Sequence, residues 1–240
     1  MANLIICGIS GRMGQRMADL AQHSPKLNLL AGVEQSNSPS IGLPAGKLGV
    51  VDNLSKIIDQ ADVMIDFTSP EGTLQNLKLC IENKKPIVIG TTGFTDQQRK
   101  EIEAAAKKIP IVFSPNMSIG VNVMFRLTEE ATRLLGKDFD VKIHEIHHNQ
   151  KKDAPSGTAK KLQEIVEKER NSSIRVTSER TGDVVGDHTV YFEGTGERLE
   201  IFHHASSRDT FAQGALRAAE WLVGQKPGFY NMQDVLGLIN

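Results

Sequence analysis

Between residues 4 and 113, short β-branched runs alternate with amphipathic helical segments, which limits this part of the chain to a parallel sheet covered by helices. Leu4 to Cys7, Met13 to His23 and Leu27 to Val33 read as strand, helix and strand. After a Gly-, Pro- and Ser-rich connection from Ser36 to Gly49, the pattern resumes with Val63 to Phe67, a helix over Leu74 to Asn83, and Pro86 to Ile89. A helix over Asp96 to Lys108 follows, where Thr95 and Gln98 have capping-box spacing, and then Ile111 to Phe113. Parallel neighbours need crossovers of this kind, so the expected class is α/β with a doubly wound parallel sheet.

Beyond about Met117 the pattern changes. A long amphipathic helix, Val121 to Leu135, leads into a strand ending in Glu145-Ile146-His147-His148, and a loop and another helix follow. Ile174 to Ser178, His188 to Phe192 and Leu199 to His203 then read as strands joined by glycine-containing turns such as Glu193-Gly194-Thr195-Gly196. The expected division is a first domain over 1–117, a smaller α+β domain over 118–208, and a helix from about Asp209 to Val223 whose tail, to residue 240, rejoins the first domain.

Composition narrows the ligand class. Hydrophobic content of 39% and charged content of 24% are those of a globular protein rather than a disordered or coiled-coil one. The net charge of -1, with no arginine stripe among aromatics, leaves no footprint for nucleic acid or an anionic membrane, so a small molecule is expected. No run approaches the ~20 apolar residues of a membrane-spanning helix. Leu4 to Cys7 is too short for a secretory core and lacks a basic lead, so a soluble, cytoplasmic protein is expected. Cys7 and Cys80 lie far apart in apolar runs and read as reduced core residues.

The glycine turn Gly8-Ile9-Ser10-Gly11-Arg12-Met13-Gly14 lies between an expected strand and an expected helix. Backbone amides there can approach a pyrophosphate, and the helix N-terminus favours its negative charge. Ser10 takes the middle glycine position of the G-x-G-x-x-G fingerprint, which leaves a tight strand-to-helix turn as the alternative. Glu34 ends the second strand about 20 residues after the turn, where a carboxylate accepts bonds from an adenosine ribose. Together they read as a Rossmann-type dinucleotide site, with Arg12 as a cofactor contact. Gly90-Thr91-Thr92 and Ser114-Pro115-Asn116-Met117 end later strands, on the edge where such sheets bind ligands.

The segment Glu145 to Ala159 gathers imidazoles, ammonium groups and a helix start in one loop. On an extended strand, His147 and His148 face opposite sides unless the chain turns there, so at least one is expected to reach a cleft. Lys151 adds a cation, and Ser156-Gly157-Thr158 can present free amides and a hydroxyl at a helix N-terminus, a combination suited to a carboxylate. His144, His147 and His148 have helix-like metal spacing, but Val141 to Ile146 reads as a strand and no cysteine is near, so no metal is expected. For His203 and His204 a packing role at a strand end or subunit contact is favoured.

These residues resemble the 4-hydroxy-tetrahydrodipicolinate reductase family, also called dihydrodipicolinate reductases. The resemblance spans nearly the whole chain. It rests on Gly11-Arg12-Met13-Gly14, Asp66-Phe67-Thr68 with Pro70-Glu71-Gly72-Thr73, Gly90-Thr91-Thr92-Gly93-Phe94, the histidine loop with Asp153-Ala154-Pro155-Ser156-Gly157-Thr158, Gly196-Glu197-Arg198-Leu199-Glu200, and His203-His204-Ala205-Ser206-Ser207-Arg208. It implies a homotetramer associating through the second domain, and NAD(P)H-dependent reduction, with loss of water, of a small cyclic dicarboxylate in the diaminopimelate route to lysine. It further implies that His147 is the acid/base residue, Lys151 the proton donor, and His148, Gly157 and Thr158 the carboxylate binders. A related Rossmann dehydrogenase lacks support from the histidine loop, and a non-enzymatic dinucleotide sensor should lack the pair His147 and Lys151.

Glu34 is followed by Gln35, a departure from those members of the resembled family that place an arginine after the ribose-binding acid. A carboxylate suits the free 2′-hydroxyl of NADH and repels the 2′-phosphate of NADPH unless a cation offsets it. Arg12 offers partial compensation, and Lys47 lies in a connecting loop. The expectation is an NADH preference with residual NADPH use.

Overall fold

The computed structural model describes Met1 to Leu238, and the last two positions of the expected C-terminal tail lie outside the described residues. The chain forms two compact units, one of Met1–Ser118 with the segment from Phe211 onward, the other of Ile119–Thr210.

In the first unit the elements run β1 (Ala2–Cys7), α1 (Arg12–Ala21), β2 (Leu27–Val33), β3 (Val50–Val51), β4 (Val63–Asp66), α2 (Pro70–Glu82), β5 (Ile87–Ile89), α3 (Asp96–Ala105) and β6 (Pro110–Phe113). The second unit comprises α4 (Ile119–Leu135), β7 (Asp140–His147), α5 (Gly157–Arg170), β8 (Arg175–Arg180), β9 (Gly186–Gly194) and β10 (Glu197–Ala205). The chain then returns through α6 (Asp209–Leu222), β11 (Gly228–Tyr230) and α7 (Met232–Leu236).

The expected doubly wound sheet is present: seven parallel strands in the order β11-β6-β5-β4-β1-β2-β3, with the winding reversing between β1 and β4. Leu4, Ile5, Ile6 and Cys7 are all fully buried, because helices cover both faces. Each such aliphatic side chain contributes roughly 1.5–3 kcal/mol. Cys7 and Cys80 are free, buried thiols within this core, and burial pushes both thiols up.

The Thr95 capping box forms with both of its bonds, as its spacing predicts. Helix α2 starts before the expected Leu74, because Ser69 caps the amide of Gly72 and Pro70 occupies the first turn, where its missing N–H costs nothing. Strands β3 and β11 were not expected. Two or three residues at a sheet edge carry too few side chains to show a period.

The second unit pairs β10-β9-β7-β8, with β9 antiparallel to β7 and β10, and β8 parallel to β7. On β7, Val141, Ile143, Glu145 and His147 are buried while the residues between them are more exposed, which is the period of a strand covered on one side. Helices α4 and α5 pack over that inner face, and Leu162, Val166, Val190 and Phe192 fill the space. Among the described residues, no helix is long and apolar enough to cross a membrane.

Candidate active site

At the carboxyl end of the parallel sheet, three features shape a tight strand-to-helix turn. Gly8 has φ +79°, and a Cβ there would come within 2.7 Å of the Phe67 carbonyl. A Cβ at Gly14 would lie 2.2 Å from the Gly8 carbonyl, so the first turn of α1 presses on the strand end in a way only glycine allows. Gly11 caps α1 without a side-chain bond, leaving backbone amides at the helix start for a ligand.

Glu34 follows β2 and accepts a 2.7 Å hydrogen bond from the Ser10 amide, so turn and acid form one unit. Ile9 is buried, Ser10 and Met13 are half-buried, and Arg12 is exposed at the start of α1. Gln35 and Lys47 are exposed. This bare-backbone cradle, with a carboxylate at its rim, fits a dinucleotide.

Asp66, at the end of β4 and fully buried, organises the neighbouring loops. Its Oδ1 accepts from the Thr68 amide at 3.1 Å and from the hydroxyls of Thr68, Thr73 and Thr91 at 2.7, 2.8 and 3.2 Å, and its Oδ2 accepts from Asn76 Nδ2 at 2.7 Å. Thr91 is therefore held inward by its hydroxyl, while Thr92 is exposed. Gly90 packs on Phe67, whose ring would meet a Cβ at 2.0 Å. After β6, Ser114 Oγ donates to the Asn116 carbonyl at 2.9 Å and Asn116 Oδ1 accepts from the Ser118 amide at 2.8 Å, shaping that loop. Exposed Pro115 and buried Met117 complete it; a Cβ at Gly214 of α6 would lie 1.7 Å from the Met117 carbonyl.

The second unit holds a cluster of charged and aromatic side chains at the end of β7. Glu145 and His147 are two residues apart and share the inner face. His147 Nδ1 lies in close contact with Glu145 Oε2. The other oxygen, Oε1, accepts from Arg180 Nη2 at 2.9 Å and from the Ser156 amide at 3.3 Å. Register explains the meeting: Arg180 lies opposite His147 on β8, and His188 lies opposite Glu145 on β9. The His147 and His188 rings meet edge to face, 5.1 Å between centroids.

Burial raises the Glu145 pKa, but Ser178, Arg180 and His147 together hold it below the usual carboxylate value. Burial lowers the His147 pKa, Glu145 opposes that, and Lys151 and Arg180 reinforce it, so the net shift is downward. Burial, with His147 adding to it, takes His188 down to about 3.

The loop after β7 brings Lys151 close enough to His147 for its charge to be felt there, and Lys151 Nζ pairs with Asp153 Oδ1 at 2.8 Å. Arg180 Nη2 also donates to the Asp153 carbonyl at 2.5 Å, and the Ala154–Pro155 peptide is cis. Ser156 caps α5, its Oγ accepting from the Ala159 amide at 3.2 Å and lying 3.1 Å from His188 Nε2. Gly157 is exposed and Thr158 buried in the first turn of α5. His148 is half-buried past the strand end, its amide donating to the Val184 carbonyl at 2.7 Å.

Thus His147, Lys151 and the α5 start come together. The alternative metal trio does not, since His144 faces the other side of β7 and its Nδ1 lies 2.8 Å from Thr177 Oγ1. Glu145, His147 and His188 do have ligand atoms within 4.8 Å of one another. Arg180 already balances the carboxylate, however, and the Lys151 charge is felt at His147, both of which oppose a cation. His204 Nδ1 lies 2.6 Å from Asp187 Oδ1 at the far strand end.

Glu145, Arg180, His188 and Asp153 join this cluster without a role expected for them from the sequence. The two-residue spacing of Glu145 and His147 on a strand was a usable signal. Arg180 and His188 enter only through pairing register.

A family model described as dihydrodipicolinate reductase, N-terminus, matches residues 2–117, and one described as dihydrodipicolinate reductase, C-terminus, matches 120–236. The 4-hydroxy-tetrahydrodipicolinate reductase of Syntrophotalea carbinolica is 44% identical over 99% of this chain and 100% of its own. That of Geobacter metallireducens is 45% identical over the same shares. A solved structure described as dipicolinate-bound dihydrodipicolinate reductase from Paenisporosarcina sp. TG-14 aligns with a TM-score of 0.86 at 27% identity, over 98% of this chain and 99% of that one.

Proposed function

This chain belongs to the dihydrodipicolinate reductase family, and from that premise we infer that it is an NAD(P)H-dependent oxidoreductase of lysine biosynthesis. It reduces 4-hydroxy-tetrahydrodipicolinate to tetrahydrodipicolinate in the diaminopimelate route. Each turnover replaces a C–OH with a C–H: the reduced nicotinamide supplies a hydride, one proton accompanies it, and the hydroxyl leaves as water.

The observation that carries the site assignment is the joining of a buried, carboxylate-backed imidazole, an ammonium group and a capped helix start in one unit. His147, with its pKa lowered from an already near-neutral value, exchanges a proton with the substrate. Lys151 attracts the dianion and donates the proton that accompanies reduction. His148 and the start of α5 at Gly157 and Thr158 hold the carboxylates, because the backbone amides and dipole of a helix N-terminus favour an anion there.

In the first unit, Gly8 to Met13 cradle the pyrophosphate and Glu34 holds the adenosine ribose, with Gly90, Thr91, Thr92 and Ser114 to Met117 completing the rim. Glu34 beside exposed Gln35 favours NADH, with NADPH as a weaker cofactor. The assembly is a cytoplasmic homotetramer associating through the second unit. The sheet face opposite α4 and α5 supports this: it carries Phe202 at 60% exposure and a depression of about 470 Å³ lined by His144, Tyr191 and Glu200, away from His147.

The test is spectrophotometric oxidation of NADH with freshly generated substrate. Turnover with formation of tetrahydrodipicolinate is expected. No turnover where a known reductase works would identify a dinucleotide-binding protein without this chemistry.

A further inference from the structure

We propose that Glu145 and Gly186 are positioning residues for His147, the carboxylate fixing Nδ1 of the ring and the missing side chain at 186 making room for Nε2. The inference rests on the reading of His147 as the proton-exchanging residue.

Glu145 is fully buried and cannot turn away, because Arg180 and the Ser156 amide hold Oε1 while Oε2 meets His147 Nδ1. Oε2 and Nδ1 are both buried, and neither makes a hydrogen bond of regular geometry, their mutual contact included, so it is the close approach of the two atoms that pairs them. A neutral imidazole against a carboxylate keeps its proton on the facing nitrogen, since a lone pair there would repel the anion. Nδ1 therefore carries hydrogen, and Nε2 carries the lone pair that takes and returns a proton.

On the Nε2 side, a Cβ at Gly186 would lie 2.9 Å from that atom. Gly186 is not among the positive-φ glycines, so its backbone would accept alanine and the imidazole alone excludes it. The ring is thus set from both ends, by groups on β7 and β9.

The charged and titratable groups facing His147 are Glu145 on its own strand, Arg180 on β8, His188 on β9, and Lys151 on the loop, itself paired with Asp153. Burial disfavours the imidazolium, as do Lys151 and Arg180, and Glu145 opposes them. Removing that charge therefore moves the ring's titration to lower pH and frees its tautomer, whereas a carboxylate that only braced the fold would change stability alone.

The experiment is ¹⁵N-imidazole NMR titration of wild type, Glu145→Gln and Gly186→Ala, with His147→Gln identifying the signal and thermal melts and steady-state kinetics alongside. Wild-type His147 should show the Nδ1–H tautomer. Glu145→Gln should show a mixed or reversed tautomer titrating at lower pH. Gly186→Ala should stay folded with a lowered melting temperature, because its methyl displaces one ring and meets no backbone, yet lose about ten- to a hundredfold in kcat with KM nearly unchanged. If Glu145→Gln does not fold, Gly186→Ala carries the test. A His147 tautomer and titration unchanged in Glu145→Gln, or kcat unchanged in Gly186→Ala while His147→Gln is inactive, overturns the proposal. A shifted tautomer with an active His147→Gln instead removes the catalytic reading of His147 and leaves its positioning intact.

Discussion

Glu34 Oε1 accepts a 2.7 Å hydrogen bond from the amide of Ser10, so the acid after the second strand is anchored to the glycine turn. One carboxylate oxygen is thereby engaged by the protein, which holds the acid in place for the ribose contact proposed for it.

From this anchoring follows the first prediction. With Gln35 in place of a cation, wild type should prefer NADH modestly. Gln35→Arg adds a forked, charge-assisted contact worth ~1.5–3 kcal/mol and should raise relative NADPH affinity by roughly one to two powers of ten. Titration of both cofactors against both proteins at fixed salt checks it. A wild type that strongly prefers NADPH, with no change on adding arginine, means that another cation reads the phosphate.

Asp66→Asn should destabilise the protein by about 2–3 kcal/mol, because a fully buried acceptor of charge-assisted bonds is replaced by an amide whose NH₂ must face donors such as Thr68, Thr73 or Asn76. Urea unfolding measures this. Cofactor binding should weaken in parallel, since Thr68, whose amide donates to Thr91 Oγ1, borders the Gly8 turn. An unchanged midpoint would show that the network is not a source of stability.

The alternating strands and the glycine turn were legible because apolar period and backbone need are local properties of the chain. The second-unit cluster was legible only in part. His147, Lys151 and Thr158 lie within twelve positions, and their chemistry stands out as a string. Arg180 and His188 reach Glu145 and His147 through strand pairings whose register depends on the whole sheet, and a lone arginine or histidine on a strand carries no mark of its partner. Asp66 stands in the motif Asp66-Phe67-Thr68, yet the five bonds it accepts come from two strand ends and a helix that only the fold brings together.

Stability should fall between pH 7 and pH 5. His188 has its folded pKa depressed to about 3, and those of His147 and His203 are also lowered, all chiefly by burial. Below the unfolded value of about 6.5, the unfolded chain binds protons that the folded protein does not, so unfolding gains ground as pH drops. Urea midpoints at pH 7, 6 and 5 should decline stepwise, and His188→Gln should flatten the decline. The lowered carboxyls of Glu145 and Asp153 act in the same direction only at lower pH, where the unfolded carboxyls begin to protonate. A pH-independent midpoint over this window would contradict neutral burial of these imidazoles.

Thr158→Val should weaken substrate binding about tenfold, since one donor at the α5 start disappears while side-chain volume is kept. Isothermal titration with a dicarboxylate analogue of the substrate measures it. Unchanged affinity would remove Thr158 from the carboxylate site.

The central claim is that His147 and Lys151 carry the proton transfers of the reduction. Its most direct test is steady-state NADH oxidation by His147→Gln and Lys151→Ala with freshly generated substrate, alongside cofactor titration of each. Turnover should fall by roughly 10²-fold or more in each variant, with cofactor affinity nearly unchanged. Near-normal turnover in both would contradict the account.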